Sequence, residues 1–160
     1  NVDTRLRKLA EGELDAIVLA AAGLRRLGRV AEIGFRVPVE TMVPAAGQGA
    51  LVLQVRAGDA SPALAATNDD AALREQSGEN AAVALLDATC ATPIGVHARV
   101  EGTSLVVEAF VGLPDGSEWL RDRIEADPAD PAAAGALLAQ RLLSAGARDI
   151  LDRAERLGAL

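Results

Sequence analysis

The alternation of apolar and polar residues is clearest in the second half of the chain. Apolar side chains occupy every second position over 95–100 and 104–112, and a third strand is predicted over 117–125, after a strong turn signal. This period is typical of β-strands with one buried face. Turn-forming residues join the runs at 101–103 and at 114–116, where the chain reads Pro-Asp-Gly. The pattern therefore predicts a three-stranded antiparallel sheet.

A helical segment precedes this sheet. The residues at 68–70 are Asn, Asp and Asp, which are good N-cap residues, and the sequence after them predicts a helix that reaches about Leu86. Gly78 lies in the middle of this helix and should weaken it by about 1 kcal/mol relative to alanine.

Two further helices are predicted after the sheet. Asp130 and Pro131 are a favourable helix start, and an Ala/Leu-rich pattern continues to about Ala145. Gly146 interrupts this pattern, and residues 147–157 predict a last helix. The order of elements predicts an α+β domain in which helices cover a small antiparallel sheet.

The first part of the chain has a different pattern. Asp3 is a candidate N-cap for a helix over 4–11, which Gly12 would end. The apolar run at 15–21 shows no alternation, as expected of a strand buried on both faces, and 23–28 predicts one helical turn. Together these elements form part of an α/β unit that is too small to cover both faces of a sheet.

The region between these two parts contains a glycine pair. Prolines exclude helix from much of 30–44, and Gly47-Gln48-Gly49 follows. The two glycines either let the backbone approach a ligand closely or form a tight turn into a strand over 50–56. Residues 58–62 have the composition of a linker, which places a domain boundary between about 58 and 69.

The charge is unevenly distributed. The chain carries a net charge of −7, yet residues 1–36 hold seven basic and five acidic residues and are therefore +2. The overall charge argues against non-specific nucleic-acid binding. A local positive segment in an acidic protein suggests a small anionic ligand instead. No run of about eighteen apolar residues is present, so no membrane span is expected.

The chain has one cysteine, Cys90, which the pattern places on a loop between the helix ending near Leu86 and the first strand. With one cysteine there is no internal disulfide, which fits a reducing cytoplasm. One His and one Cys are too few for an ordinary zinc site, so no metal is expected. Taken alone, Cys90 is either a small buried apolar residue or a nucleophile presented on the loop.

Several motifs carry a resemblance to a known family. The chain reads Asn-Val-Asp-Thr-Arg at 1–5, Pro-Ala-Ala-Gly-Gln-Gly-Ala at 44–50 and Cys-Ala-Thr-Pro-Ile-Gly at 90–95, with further matching blocks at 14–20 and 22–28. In this order and spacing the chain resembles the porphobilinogen deaminase (hydroxymethylbilane synthase) family of tetrapyrrole biosynthesis. The resemblance covers essentially the whole chain.

The resemblance implies the C-terminal half of a three-domain enzyme. Residues 1–43 correspond to the second half of domain 2, an α/β remnant of a periplasmic-binding-protein-like domain. Residues 44–64 correspond to a strand returning to domain 1 and a linker. Residues 65–160 correspond to the cofactor-carrying α+β domain 3, with its three-stranded antiparallel sheet covered by helices.

The resemblance also implies the activity. In the family, the loop cysteine holds a dipyrromethane cofactor through a thioether, and Cys90 matches that cysteine. Four porphobilinogen molecules are added to this primer with release of ammonia, and the linear tetrapyrrole is then hydrolysed off. The catalytic aspartate belongs to the N-terminal half, so no residue of this chain is assigned as catalytic, and the chain alone is expected to be inactive.

Four more residues are assigned to cofactor binding by the same resemblance. Arg5 and Arg26 would contact carboxylates of the cofactor or substrate, and Gln48 and Gly49 would shape the cleft through backbone contacts. Thr92 and Pro93 are expected to shape the cysteine loop, and His97 is expected to be structural.

The expected partners are porphobilinogen and the N-terminal half of the same enzyme, with no nucleic acid and no membrane, and the complete enzyme is expected to be a cytoplasmic monomer. The chain departs from the family pattern near the cysteine, where Asn80 replaces an arginine and Ala88 and Thr89 replace glycine. These departures leave two alternatives open: a degenerate paralogue, or a free-standing α+β binding or regulatory module without catalysis.

Overall fold

The computed structural model of the protein describes residues 1–58, 61–89 and 91–158. The chain divides into two compact units, Asn1–Pro38 and Val39–Leu160. No described helix is long and apolar enough to cross a membrane. The described residues also include no group of His, Cys, Asp and Glu side chains that could hold a metal ion.

The first unit contains helices α1 (Val2–Ala10) and α2 (Ala21–Arg26) and a 3₁₀ turn (Val30–Glu32). The N-cap of α1 is Asn1, whose Oδ1 accepts the backbone N–H of Asp3 at 3.0 Å. The prediction that Asp3 caps this helix was therefore wrong. Asp3 lies in the first turn instead, where a negative charge interacts favourably with the helix dipole.

Two predicted strands are not formed in the described structure. Residues 15–21 and 50–56 contain no strand residue, and Val18 and Val52 are 63% and 82% exposed. A strand needs backbone partners from a second segment, and the described residues supply none to either run. Both predictions were wrong for this chain, because the apolar pattern reports a tendency to pair and not the presence of the pairing partner.

The second unit holds the remaining elements. They are α3 (Pro62–Ala65), α4 (Asp70–Leu86), β1 (Ile94–Glu101), β2 (Ser104–Gly112), β3 (Trp119–Ala126), α5 (Pro131–Ser144) and α6 (Ala147–Gly158). The N-cap of α4 is Asp69, which accepts the backbone N–H groups of Ala71 and Ala72 at 3.0 Å each. Asp130 caps α5 by accepting from Ala133 at 3.0 Å. Both helix starts agree with the sequence prediction.

The three strands form one antiparallel sheet in the order β1-β2-β3. In its central row, His97 pairs with Glu108, and Glu108 pairs with Arg123. The two faces of the sheet differ, because alternate residues point to opposite sides. The predicted three-stranded antiparallel sheet covered by helices is confirmed.

One face of the sheet packs against α4, α5 and α6 and forms the core. Fully buried side chains on this face include Val96, Leu105, Val107 and Val111. The helices contribute the following residues to the core: Ala82, Leu86, Ala134, Leu138, Ala139, Leu142, Ala147, Ile150, Leu151 and Ala154. This core fixes the positions at which α4 ends and β1 begins.

The opposite face of the sheet carries aromatic and charged side chains. Phe110 and Trp119 stack with their ring centroids 6.1 Å apart, and Trp119 remains 57% exposed. Arg121 pairs with Glu108 at 2.6 Å. This face therefore holds few of the apolar contacts that stabilise the unit.

Helices α4 and α5 cross at two glycines. A Cβ on Gly135 would lie 2.0 Å from the carbonyl oxygen of Gly78, and a Cβ on Gly78 would lie 3.2 Å from the carbonyl oxygen of Pro131. The two backbones are thus in direct contact, which no larger residue at position 135 would allow. Gly78 weakens α4 locally, but it lies at the closest approach of the two helices.

Gly135→Ala should destabilise the second unit although alanine favours helix by about 1 kcal/mol. The added methyl group meets backbone atoms, and overpacking of this kind costs about 1–3 kcal/mol, or more where the backbone must move. Urea unfolding of the chain should therefore show a lower free energy of unfolding. Gln140→Ala, on the exposed side of the same helix, should change it by less than about 0.5 kcal/mol. A more stable Gly135→Ala variant would contradict the crossing geometry.

Candidate functional site

The site is built around the connection between α4 and β1. Helix α4 ends at Asp87, whose φ of 55° and ψ of 44° place it in the left-handed region. The backbone N–H of Asp87 donates to Ala84 and that of Ala88 to Val83, both at 3.2 Å. These bonds satisfy carbonyls of the last turn and turn the chain out of the helix. Cys90 follows in this connection, but it lies outside the described residues.

Hydrogen bonds join the residues on the two sides of position 90. Thr89 donates its backbone N–H to the hydroxyl of Thr92 at 2.8 Å, and the two threonine hydroxyls lie 3.2 Å apart. In return, the backbone carbonyl of Thr89 accepts from Thr92 at 3.0 Å, and its hydroxyl accepts the N–H of Ala91 at 3.3 Å. The short side chains of two threonines thus hold the loop, as expected for Thr92.

The loop ends in bonds to the sheet. The carbonyl of Thr92 accepts the N–H of Ile94 at 2.8 Å, and the carbonyl of Pro93 accepts the N–H of Gly112 at 3.3 Å. Pro93 therefore extends the β1–β2 pairing by one position beyond the strand. The start of β1 is fixed immediately after the loop.

The segment 39–47 runs beside the start of β1. The carbonyl of Pro44 accepts the N–H of Val96 at 2.9 Å. Gly95 lies against Val43 so closely that a Cβ on Gly95 would be 2.3 Å from the Val43 carbonyl oxygen. Position 95 is therefore open only to glycine, and the segment 39–47 meets the chain three to four residues after Thr92.

Arg121 holds the first residues of the same segment. Its NH1 group donates to the carbonyl of Glu40 at 2.5 Å and its NH2 group to the carbonyl of Val39 at 3.1 Å. Its Nε donates to Glu108 at 2.6 Å. One guanidinium thus joins β2, β3 and the segment 39–47, using the several N–H donors that arginine presents in one plane.

A buried carboxylate holds the last residue of the segment. Glu79 on α4 is 6% exposed. Its Oε2 accepts the backbone N–H of Gly47 at 2.7 Å, and its Oε1 accepts the backbone N–H of Ala98 at 2.9 Å. The Nδ1 of His97 lies 3.5 Å from Oε1. These partners offset the cost of burying the charge.

The turn at 47–49 begins at Gly47, the residue bonded to Glu79. Gly47 has a φ of 78°, which favours glycine, and its carbonyl accepts the N–H of Ala50 at 3.4 Å. The side chain of Gln76, which donates to Asn80 at 2.8 Å, lies beside Gly47. Gln48 and Gly49 are exposed. The predicted turn is formed but leads into no strand, since residues 50–56 contain no strand residue. Close approach of its backbone to a ligand stays a prediction.

Glu79 was missed as a functional position by sequence reasoning. Its signal is an acidic residue on the buried side of a helix, where Gly78, Ala82 and Leu86 are also buried. His97, expected to be structural, lies beside it. The amide partners of Glu79 are distant in sequence, so no local pattern could reveal them.

A charged cavity on the outer sheet face shares Glu40, His97 and Arg121 with this site. It measures about 220 Å³ and is lined by charges of both signs, among them Glu40, Arg99, Glu108, Arg121 and Arg123. The hydrogen bond to Glu101 raises the pKa of Arg99, so this cation is already paired. The mixed charges give the cavity no clear preference for an anion.

Three basic residues of the first unit, Arg7, Lys8 and Arg29, form ion pairs with acidic side chains. Lys8 pairs with Glu13 at 3.0 Å, and Arg29 pairs with Glu32 at 2.6 Å and also with Asp3. The hydrogen bond with Glu32 raises the pKa of Arg29. A further i,i+4 pair joins Arg7 and Glu11.

The two predicted anion-binding arginines of this unit have no such pair. Arg5 on α1 and Arg26 on α2 are exposed and make no ion pair with any described residue. Arg25 and Arg36 share this property. Their guanidinium groups are therefore available to an anionic ligand, a feature that the count of basic residues could not resolve.

Comparison with known proteins decides the family. Residues 1–63 match the family model "Porphobilinogen deaminase, dipyromethane cofactor binding domain", and residues 74–144 match "Porphobilinogen deaminase, C-terminal domain". The chain belongs to the porphobilinogen deaminase family. The two models meet across the predicted linker region, and the second covers α4, the sheet and α5 of this family member.

Curated relatives agree with the family models. A porphobilinogen deaminase of Thiobacillus denitrificans is 47% identical over 154 residues, covering 95% of this chain and 50% of the relative. Those of Campylobacter concisus and Brevibacillus brevis are 42% and 44% identical, over 98% and 94% of this chain and 52% and 49% of theirs. The chain spans about half the length of the curated relatives it matches.

Thr92→Val tests the hydrogen bonds between Thr89 and Thr92. Valine has nearly the same shape but cannot accept the N–H of Thr89, so we expect a loss of about 0.5–1.5 kcal/mol in the free energy of unfolding. Hydrogen exchange of the Thr89 amide should become faster. Thr103→Val, at an exposed turn position, is the matched control and should leave both measurements unchanged. Equal effects of the two substitutions would contradict a stabilising hydrogen bond from the Thr89 N–H to the Thr92 hydroxyl.

Proposed function

We propose that this chain forms the C-terminal half of a porphobilinogen deaminase. The whole enzyme would join four porphobilinogen molecules on a dipyrromethane attached to Cys90, releasing ammonia at each addition. The observation that carries this proposal is the match of both family models along the chain, in their order, over residues 1–63 and 74–144. The lone cysteine falls within the second match.

The residues around position 90 fit a covalently held cofactor. A thiolate is a suitable nucleophile for a permanent carbon–sulfur bond to a pyrrole methylene. The Thr89–Thr92 bonds give the loop a defined shape, and β1 anchors it directly afterwards. When bound, the dipyrromethane supplies the primer to which the porphobilinogen units are joined.

Four residues besides Cys90 are proposed to contact the cofactor. Arg5 and Arg26 would bind its carboxylates, which is supported by their exposed guanidinium groups, since neither forms an ion pair with an acid among the described residues. Arginine binds carboxylates through two parallel N–H donors, which also sets their orientation. Gln48 and Gly49 would contact the pyrroles through the backbone, which is supported by their exposed turn.

The N-terminal half of the enzyme would be the main partner of this chain. The relatives are about twice as long, and residues 51–53 expose apolar side chains of Leu, Val and Leu that are 76%, 82% and 63% exposed. We propose the layout given by the resemblance: 1–43 as part of a periplasmic-binding-protein-like domain 2, 44–64 as return strand and linker, and 65–160 as domain 3. The groups that transfer protons would belong to the N-terminal half. The complete enzyme would be a cytoplasmic monomer.

The departures from the family pattern are compatible with this function. Ala88 packs against the core, and the Thr89 hydroxyl takes part in the loop bonds. Asn80 accepts from Gln76 and places a neutral amide where the family pattern has a cation. The loop therefore keeps a bonded structure, which favours an active enzyme over a degenerate paralogue.

Cys90→Ser tests the attachment site. We expect the whole protein, produced in cells that make porphobilinogen, to carry a two-pyrrole mass on the peptide containing Cys90. The Cys90→Ser protein should lack this mass and form no tetrapyrrole, while it unfolds with a similar midpoint. Thr103→Val is the control and should keep both properties. A wild-type peptide with an unmodified thiol would show that this family member does not use the cofactor.

The 160-residue chain alone should not convert porphobilinogen, because the groups that transfer protons would lie in the other half. Incubation with porphobilinogen should leave the substrate concentration constant. Co-expression with the N-terminal half should restore tetrapyrrole formation. Activity of the chain by itself would place the catalytic groups within these residues.

A further inference from the structure

We propose that Glu79 is a positioning residue of the cofactor site: its carboxylate fixes the turn at 47–49 against the strand that follows the cysteine loop. This inference rests on the proposed function, because Gln48 and Gly49 contact the bound pyrroles only if the chain carries them. Glu79 itself touches neither substrate nor cofactor. It acts through the backbone of Gly47.

The carboxylate joins two segments that are distant in sequence. One oxygen accepts the N–H of Gly47 at 2.7 Å, and the other accepts the N–H of Ala98 at 2.9 Å. Ala98 lies within β1 and cannot move independently of the sheet. Among the hydrogen bonds of the described residues, the backbone N–H of Gly47 is therefore joined to the sheet through a single side chain.

The chemistry of the site requires a carboxylate. An ionised carboxyl group has only acceptor positions and matches two backbone donors, one on each oxygen. Glutamine has the same shape but would turn an NH₂ group towards one of these N–H donors. One amide would then lose its partner in a site where the side chain is only 6% exposed.

Glu75 provides a control that distinguishes a positioning role of Glu79 from a purely stabilising one. Glu75 lies one helical turn before Glu79, and its Oε1 accepts the N–H of Val100 at 2.9 Å. Glu75 and Glu79 thus satisfy successive outward N–H groups of β1 in the same way. Only Glu79 also holds the segment 39–47, so Glu75 is a matched control.

Few other hydrogen bonds of the described residues hold the turn at 47–49. Among the hydrogen bonds of the described residues, the backbone N–H groups of Gln48 and Gly49 have no protein partner. The bond from Ala50 to Gly47 closes the turn locally but does not tie it to the sheet. Release of Gly47 would therefore displace the residues proposed to contact the pyrroles. Displacements near 1 Å can reduce turnover by about a hundredfold.

The experiment compares Glu79→Gln with Glu75→Gln in the whole protein. Both variants should lower the unfolding midpoint. Only Glu79→Gln should reduce kcat for porphobilinogen, by about tenfold or more with a smaller change in KM, and should lower the fraction of protein that carries the two-pyrrole mass. A similar loss of kcat in both variants, or none in Glu79→Gln, would overturn the positioning role.

Amide hydrogen exchange tests the geometry without a substitution. In the wild-type protein the Gly47 amide should exchange at least about tenfold more slowly than the Gln48 amide, because only the former is bonded to a buried acceptor. Equal exchange rates would overturn the inference even if Glu79→Gln cannot be purified. A wild-type protein without the two-pyrrole mass but with a protected Gly47 amide would contradict the proposed function and leave the anchor itself standing.

Discussion

The structure of the second unit depends on the free edge of β1. The N–H groups of Val96, Ala98 and Val100 donate away from β2, and a protein must satisfy such groups or leave the edge open to other chains. Pro44 satisfies the first with its carbonyl, Glu79 the second and Glu75 the third. The spacing of two along the strand is matched by a spacing of four along α4. This requirement sets the position of the helix, and it draws the segment 39–47 to the start of the strand.

The same edge connects the fold to the proposed chemistry. The loop that contains position 90 lies between the end of α4 and the start of β1, and both are fixed by the edge contacts and the core. Arg121 secures the opposite end of the segment 39–47 from β3. The chain on the two sides of position 90 is therefore held by the helix end at Asp87 and by the strand start at Ile94.

The sequence predicted the parts of this arrangement that depend on local chemistry. The three strands of the sheet and the caps at Asp69 and Asp130 all follow from residues within a few positions of each other. The predicted strands at 15–21 and 50–56 failed because pairing needs a second segment, which the described residues do not provide. Glu79 escaped notice because its partners lie 32 and 19 residues away. Which basic residues of the first unit are unpaired could not be predicted either, because the ion pairs depend on the folded geometry of α1 and α2.

The stacked pair on the outer sheet face has an optical consequence. Trp119 is the one tryptophan of the chain, which contains no tyrosine. Absorbance near 280 nm and intrinsic emission therefore originate almost entirely from one indole ring at the start of β3, resting on Phe110. A fluorescence melt of this chain would report the unfolding of the sheet around the start of β3. Residues 1–38 contain neither tryptophan nor tyrosine, so the state of the first unit has to be followed by a spectroscopic label of its own.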